Sequence, residues 1–218
     1  MLPEENAVPR RVVVYDINHY PHAERVRFIY QHPESALIAT QIANTGHTVF
    51  STIHTNAAYT APLRLLSMGI PNYMLSGNLV GVTAQRLVRA ICPNCKAEYA
   101  PDQKTIATLG LDRNKTYFKG TGTTADGRTC PVCKGSGYKG RMGIYELMPL
   151  CMYDGWEPYL NKPTQLHAFF TSKGHPDLMG DAKRKMEAGL ISPEALLGVL
   201  ARTESIISND EASIRTLK

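Results

Sequence analysis

Thr45-Gly46-His47-Thr48-Val49-Phe50-Ser51-Thr52-Ile53-His54-Thr55-Asn56 is the stretch on which the fold turns. Its middle is β-branched and largely apolar, the composition of a strand buried in the interior of a sheet. Asn44-Thr45-Gly46 reads as a helix stop, with glycine at the left-handed position. On the N-terminal side, Pro33 suits the first turn of a helix, and Leu37, Ile38 and Ile42 predict its apolar face. On the C-terminal side, Asn56 is placed to cap a helix carrying Leu63, Leu65, Leu66 and Met68, which stops at Gly69. Pro71 predicts a third helix, with Leu75, Leu79 and Val82 on one side, running to about Gln85-Arg86. A short strand, Leu87 to Ile91, follows. Helix, strand, helix, helix, strand in close succession points to an α/β fold.

Polar groups crowd the end of the central strand: Ser51, Thr52, His54, Thr55 and Asn56. Ligands bind at the carboxyl ends of strands in α/β sheets, so this cluster is a candidate site. The plain alternative is a helix N-cap beside two ordinary histidines. His47 enters the strand and His54 leaves it. Their odd separation puts them on opposite faces of a regular strand, so they do not share one ligand. Arg86 and Arg89 flank Leu87-Val88 and are either phosphate-neutralising groups or surface ion-pair partners.

Beyond Ile91 come two Cys-x-x-Cys pairs, Cys92-Pro93-Asn94-Cys95 and Cys130-Pro131-Val132-Cys133, with 34 residues between them. Four thiolates so arranged complete the tetrahedral shell that Zn²⁺ prefers. The spacer exceeds the roughly 15–20 residues usual for such sites, which predicts an excursion with hairpins of its own. Disulfides and a redox Cys-x-x-Cys are the alternatives. Cys151 is left over, a small semi-buried side chain.

Bulk properties bound the rest. The chain has 218 residues, 43% hydrophobic and 20% charged, an ordinary globular composition. No apolar run approaches the roughly 20 residues of a spanning helix, and the acidic start lacks the plan of a signal peptide. Residence inside the cell is the expectation, where disulfides are rare and zinc is favoured. The net charge of +5 is matched by residues 92–141 alone, with nine Lys/Arg against four Asp/Glu. Such a face meets nucleic acid or an acidic partner, or is simply solvated. Tyr117-Phe118 between Lys115 and Lys119, and Tyr138 beside Lys139, support the first of these.

Arg11 to Tyr15 predicts a buried strand within an otherwise unreadable opening. His19, His22 and His32 match no ligand spacing. Gly135-Ser136-Gly137-Tyr138-Lys139-Gly140 fits G-x-G-x-x-G but leaves a cysteine knuckle and leads to a strand, so these are turn glycines. Gly143 to Met148 predicts a strand. Residues 151–178 give no clear period. A helix through Ala182 and Met186 follows, then another started by Ser192-Pro193, with a polar tail beyond about Arg202.

Together these pieces resemble the type II secretion and type IV pilus assembly ATPases. The carriers are the histidine box Thr45 to Asn56, Arg64-Leu65-Leu66-Ser67-Met68-Gly69-Ile70-Pro71, and Ala84-Gln85-Arg86-Leu87-Val88-Arg89. The two cysteine pairs, Gly137-Tyr138-Lys139-Gly140-Arg141 with Gly143-Ile144-Tyr145-Glu146, and Glu187-Ala188-Gly189-Leu190 complete the set, in the family's order. The match is close over residues 33–148 and looser over 180–201. It implies the C-terminal part of a RecA-like P-loop NTPase core over 33–91, a tetracysteine zinc module over 92–141, and a strand and helical region over 142–218, with 1–32 unlike the family. It further implies ATP and Mg²⁺ as ligands, zinc as a structural ion, a homo-hexamer working with inner-membrane platform proteins from the cytoplasm, and no role for nucleic acid. By the resemblance, His47 and His54 sense or position nucleotide, Arg86 lies in a structural segment near the site, and the zinc module marks the export and pilus-extension branch.

Two departures count. The sequence holds no G-x-x-x-x-G-K-[ST]. Where the family carries Gly-Glu-Ile-Arg-Asp, whose Glu activates water, this chain has Phe28-Ile29-Tyr30-Gln31-His32. The expectation is a truncated or frame-disrupted product with little ATPase activity by itself.

Overall fold

The computed structural model describes residues 11–16 and 33–200. The expectations for His19, His22, His32, positions 28–32 and the tail beyond Arg202 lie outside them. The architecture is mixed α/β, as expected, and divides into two compact units: 1–85 with 146–177, and 86–145 with 178–218. The expected limits at 91/92 and 141/142 both fall inside the second unit.

In the first unit β1 (Arg11–Asp16) lies parallel to β2 (Thr48–Thr52) on one side and to β3 (Leu79–Ile91) on the other. Tyr15 is in register with Thr52 and Asp16 with Ala84, after a bulge between Val12 and Val13. β6 (Tyr138–Met148) continues the sheet, whose order is β2-β1-β3-β6. Parallel neighbours need crossovers, supplied here by α1 (Pro33–Asn44), α2 (Ala61–Ser67) and α3 (Asn72–Asn78).

Three local expectations are corrected. Helix α1 forms with its predicted bounds, but it buries Ala36, Ala39, Thr40 and Ala43, leaving Leu37, Ile38 and Ile42 at 37–55% exposure. Small side chains let the helix lie close to α3 and β2, and Thr40 returns its hydroxyl to the Ala36 carbonyl at 2.8 Å. Asn56 is not the N-cap of α2: a 3₁₀ turn, Ala58–Thr60, intervenes, and Thr60 flanks α2 at its N-terminus. The third helix ends at Asn78 rather than Gln85. From Leu79 the buried residues fall mostly on alternate positions, the mark of a strand with one covered face. Gly77-Asn78 weakens the helix where the β-branched run begins.

Residues 151–177, unreadable from periodicity, form two 3₁₀ turns and α5 (Pro163–Ser172). Leu150, Trp156, Leu160, Leu166 and Phe170 are its buried anchors. Irregular backbone with widely spaced anchors carries no period to detect.

The second unit is built on β4 (Lys96–Tyr99) paired antiparallel with β5 (Tyr117–Gly120). Between them lies α4 (Gln103–Leu109), a helix within what sequence predicted as hairpin alone. Asp102 caps it, accepting the Thr105 N–H at 2.6 Å, and Gly110 closes it in the left-handed conformation. Val88, Leu109, Leu111, Tyr117 and Ile144 pack with Ala182 and Met186 of α6 (Leu178–Glu187) and with Ile191, Ala195 and Leu196. The helix over 193–200 (α7) starts at Ser192 as expected, the Ser192 hydroxyl accepting the Ala195 N–H at 3.2 Å.

A close backbone crossing ties this unit together. A Cβ added at Gly120 would stand 1.9 Å from the Gly137 carbonyl oxygen, and neither backbone can yield as a side chain could. Gly120→Ala is therefore expected to cost about 3 kcal/mol or more. Gly77→Ala, where a Cβ meets nothing within 4 Å, should be neutral or stabilising. Urea midpoints of the two variants check the contrast.

Candidate functional site

The chain presents two candidate sites, one in each unit. In the first, β2 ends at Thr52 and releases Ile53-His54-Thr55-Asn56 at the carboxyl end of a parallel strand, beside the end of β1. Ile53 is buried and pins the segment, while His54 and Asn56 are exposed and Thr52 and Thr55 half-buried. Ser51 is buried, and its hydroxyl finds no partner among the described residues. His47 is exposed at the opposite end of β2, its Nδ1 3.0 Å from the Thr45 hydroxyl, which also donates to the Ile42 carbonyl at 2.7 Å. Gly46 has φ +97°, the left-handed stop that lets the chain turn from α1 into β2. The structure thus separates His47 from the Ser51–Asn56 cluster along the strand.

Sequence reasoning gave no role to Glu146, which holds the exit of this segment. It is buried, and its carboxylate accepts the Ala58 N–H at 3.0 Å, closing the 3₁₀ turn that follows Asn56. Next to it, the Tyr59 ring lies 4.7 Å from that of His167 on α5, and His167 Nε2 stands 3.3 Å from Asp177. Burial, then the carboxylates of Glu146 and Asp177, push the Tyr59 phenol above its ordinary pKa, so it stays a neutral donor. A buried acidic residue paired with a backbone N–H many positions away leaves no periodic trace; only the apolar strand around Glu146 signalled it.

Arg86 and Arg89 part company in the second unit. Arg86 is buried, whereas Arg89 is exposed with its guanidinium 4.0 Å from the centre of the Tyr138 ring. Arg89 is thereby held in a cation–π contact.

The four cysteines converge. Cys92, Cys95, Cys130 and Cys133 are all buried, with their sulfurs within 4.8 Å of one another. Cys92 Sγ is 3.9 Å from Cys130 Sγ, and Cys95 Sγ is 3.6 Å from Cys133 Sγ. A disulfide needs about 2.05 Å, and all four thiols are free. Sulfurs on a tetrahedron of 2.3 Å metal bonds lie about 3.8 Å apart, so these spacings suit one ion of the zinc type. Two further groups point at the sulfurs: the Asn94 amide donates to Cys130 Sγ at 3.2 Å, and the Gly137 N–H to Cys133 Sγ at 3.3 Å. The backbone N–H at Cys133, against the opposing effect of burial and helped by Asn94, draws the Cys130 thiol well below its usual pKa. Burial pushes Cys95 up. The Cys130 thiolate is thus favoured before any ion arrives, whereas Cys95 gives up its proton less readily. The signal for these donors was present: Asn inside the first pair and Gly four residues after Cys133.

The family model and the curated relatives point to one family. The model of the family described as "Type II/IV secretion system protein" matches residues 31–198. The Type II secretion system protein E of Pseudomonas aeruginosa is 38% identical over 166 residues, covering 76% of this chain and 32% of that protein. The Type IV pilus assembly ATPase PilB of Thermus thermophilus is 44% identical over 119 residues, covering 53% of this chain and 13% of that protein. Among solved structures, that of the Legionella pneumophila ATPase DotB covers 88% of this chain and 51% of that one, at 16% identity and a TM-score of 0.49. The chain spans about a third or less of the length of these curated relatives. No helix among the described residues is long and apolar enough to cross a membrane. With the family model covering most of its length, this chain belongs to the type II/IV secretion system protein family.

Proposed function

We propose that this chain supplies the C-terminal share of a secretion or pilus-assembly ATPase of the RecA-like type, acting from the cytoplasm in a hexamer against inner-membrane platform proteins. One observation carries the reading: Ser51 to Asn56 leave the carboxyl end of a parallel strand, where α/β sheets receive ligands, with Glu146 anchoring the exit. His54, Thr55 and Asn56 are proposed to face nucleotide there, and His47 to respond to it from the far end of β2. Residues that cradle the β/γ-phosphates and Mg²⁺, and the carboxylate that orients water, would come from outside this sequence.

The cysteine quartet is proposed to hold zinc as a staple. With four thiolates the shell is closed and leaves no position for water or substrate, so the ion supplies folding energy and no reaction step. The rival reading, a nucleic-acid module, has less support: Tyr117 is buried, and the rings of Phe118 and Tyr138 already carry Lys96 and Arg89 at 4.2 and 4.0 Å.

The test is steady-state phosphate release from ATP by the purified full chain, with co-purification against a full-length relative. Release at the buffer background, and capture of the chain by the relative, are the expected results. Saturable hydrolysis by the chain alone would overturn the division of labour proposed here. Within the captured complex, His54→Ala should weaken nucleotide binding at least several-fold, whereas Arg128→Gln should leave it unchanged.

A further inference from the structure

The second unit has a cleft of about 320 Å³ where the β4–β5 hairpin meets α4. Tyr99, Pro101, Ile106 and Tyr117 give it apolar side chains, and Glu98, Arg113 and Lys115 are its charged residues. A cavity of that volume, with apolar side chains beside a few charged groups, is large enough to seat a small ligand group. The tyrosines contribute rings rather than hydroxyls: Tyr117 OH donates to the Asp112 carbonyl at 3.1 Å, and Tyr99 OH donates to the Glu194 carboxylate. Lys115, also at the cleft, is engaged with Glu187 at 3.3 Å. Arg113 is exposed and has no partner among the described residues.

We propose that this cleft docks a peptide segment of a protein partner, seating one apolar side chain with an adjacent carboxylate on Arg113. Charge complementarity favours an acidic partner, since residues 92–141 carry nine Lys/Arg against four Asp/Glu. A peptide is chosen over phosphate because the tyrosine rings, Pro101 and Ile106 offer apolar contact that a dianion cannot use, while Arg113 offers one exposed fork for a single carboxylate. An apolar lining likewise suits a side chain better than a lipid headgroup. The site is independent of the nucleotide-facing segment and of which metal the cysteines hold.

The probe is N-acetyl-leucine, which carries an apolar side chain, an amide N–H and a carboxylate in the required proximity. It is titrated into the full chain and followed by amide chemical shifts. Saturable shifts centred on Tyr99, Ile106 and Arg113 are expected, with the millimolar affinity natural to so small a ligand. Arg113→Gln should weaken binding about tenfold, while Arg128→Gln, an exposed cation already paired with Asp126, should leave it unchanged. Absence of saturable shifts at these residues overturns the proposal. So does equal weakening by both variants, which would mean diffuse attraction. Inorganic phosphate or phosphatidylglycerol vesicles shifting the same residues more strongly than N-acetyl-leucine would also overturn it, in favour of an anion or membrane site. A failure here leaves the hydrolysis and capture results untouched, so the two readings fall separately.

Discussion

Cys130→Ser is expected to release the metal and unfold residues 121–137 while leaving the rest of the second unit folded. The four cysteines form a buried cluster of their own, apart from the apolar core around Val88, Tyr117 and Met186. Between Thr121 and Gly137 the only buried side chains are Cys130 and Cys133, and Val132 is exposed. With so little apolar surface removed from water, this loop has no other source of order. Structural zinc contributes about 10–16 kcal/mol at neutral pH in zinc-finger peptides, far above what the loop's hydrogen bonds supply. Serine keeps the size of cysteine and removes the thiolate. Bound zinc should fall from about one per chain to near zero by elemental analysis. Hydrogen exchange of the 121–137 amides should accelerate by more than about a hundredfold, while α6 stays protected. Treatment with a strong chelator should reproduce both effects. Retained protection in the metal-free chain would mean the loop is held some other way.

The contrast between this loop and the rest of the chain shows what a sequence can display. The quartet was legible because ligand chemistry is carried by residue type and spacing, and proline follows the first cysteine of each pair. That a strand β2 and a helix before it exist was legible for a similar reason, since a β-branched run bounded by Gly46 permits few alternatives. Its place was not, for β2 lies at the edge of the described sheet with Phe50 60% exposed, where an interior strand was expected. The face of α1 was not. Leu37, Ile38 and Ile42 make the larger apolar stripe, but the sheet accepts the alanine stripe because α3 and β2 lie close enough to exclude longer side chains. Leu75, Leu79 and Val82 fit helical spacing, yet pairing with β1 gives Leu79 to Ala84 a ladder that the helix cannot match. In both cases tertiary contact overrides local preference, and the contact depends on residues far off in the sequence. Glu146 escaped for the same reason: its partner, Ala58, is 88 positions away.

Asp181→Ala should be the most damaging change outside the cysteines and the Gly120 crossing, lowering stability by about 3 kcal/mol, or roughly 10 °C in Tm. Asp181 lies in the first turn of α6, where a negative charge also suits the helix dipole. One of its oxygens accepts the Tyr145 N–H at 2.8 Å and Lys185 Nζ at 2.5 Å; the other accepts Arg184 at 3.1 Å. Lys185 also donates to the Gly143 carbonyl at 2.8 Å, so a single carboxylate holds α6 against β6. Alanine strands a backbone N–H and a mostly buried ammonium together, which costs more than losing the exposed Arg184 contact. Burial alone would raise the Asp181 pKa, but the Lys185 and Tyr145 hydrogen bonds outweigh it and hold the carboxyl below its ordinary range. The sign of the pH effect follows. A depressed carboxyl contributes fully above its unfolded value, near about 3.9, and loses that contribution as pH falls through the folded value. Asp181→Asn, which keeps an acceptor but no charge, should therefore trail the wild type by a constant margin from pH 7 to about pH 5, and the margin should shrink below about pH 4. Urea midpoints for both chains at pH 7, 5 and 3 measure it. A margin that persists undiminished at pH 3 would locate the stabilisation in packing rather than in the charge, and the carboxylate would cease to be the clamp.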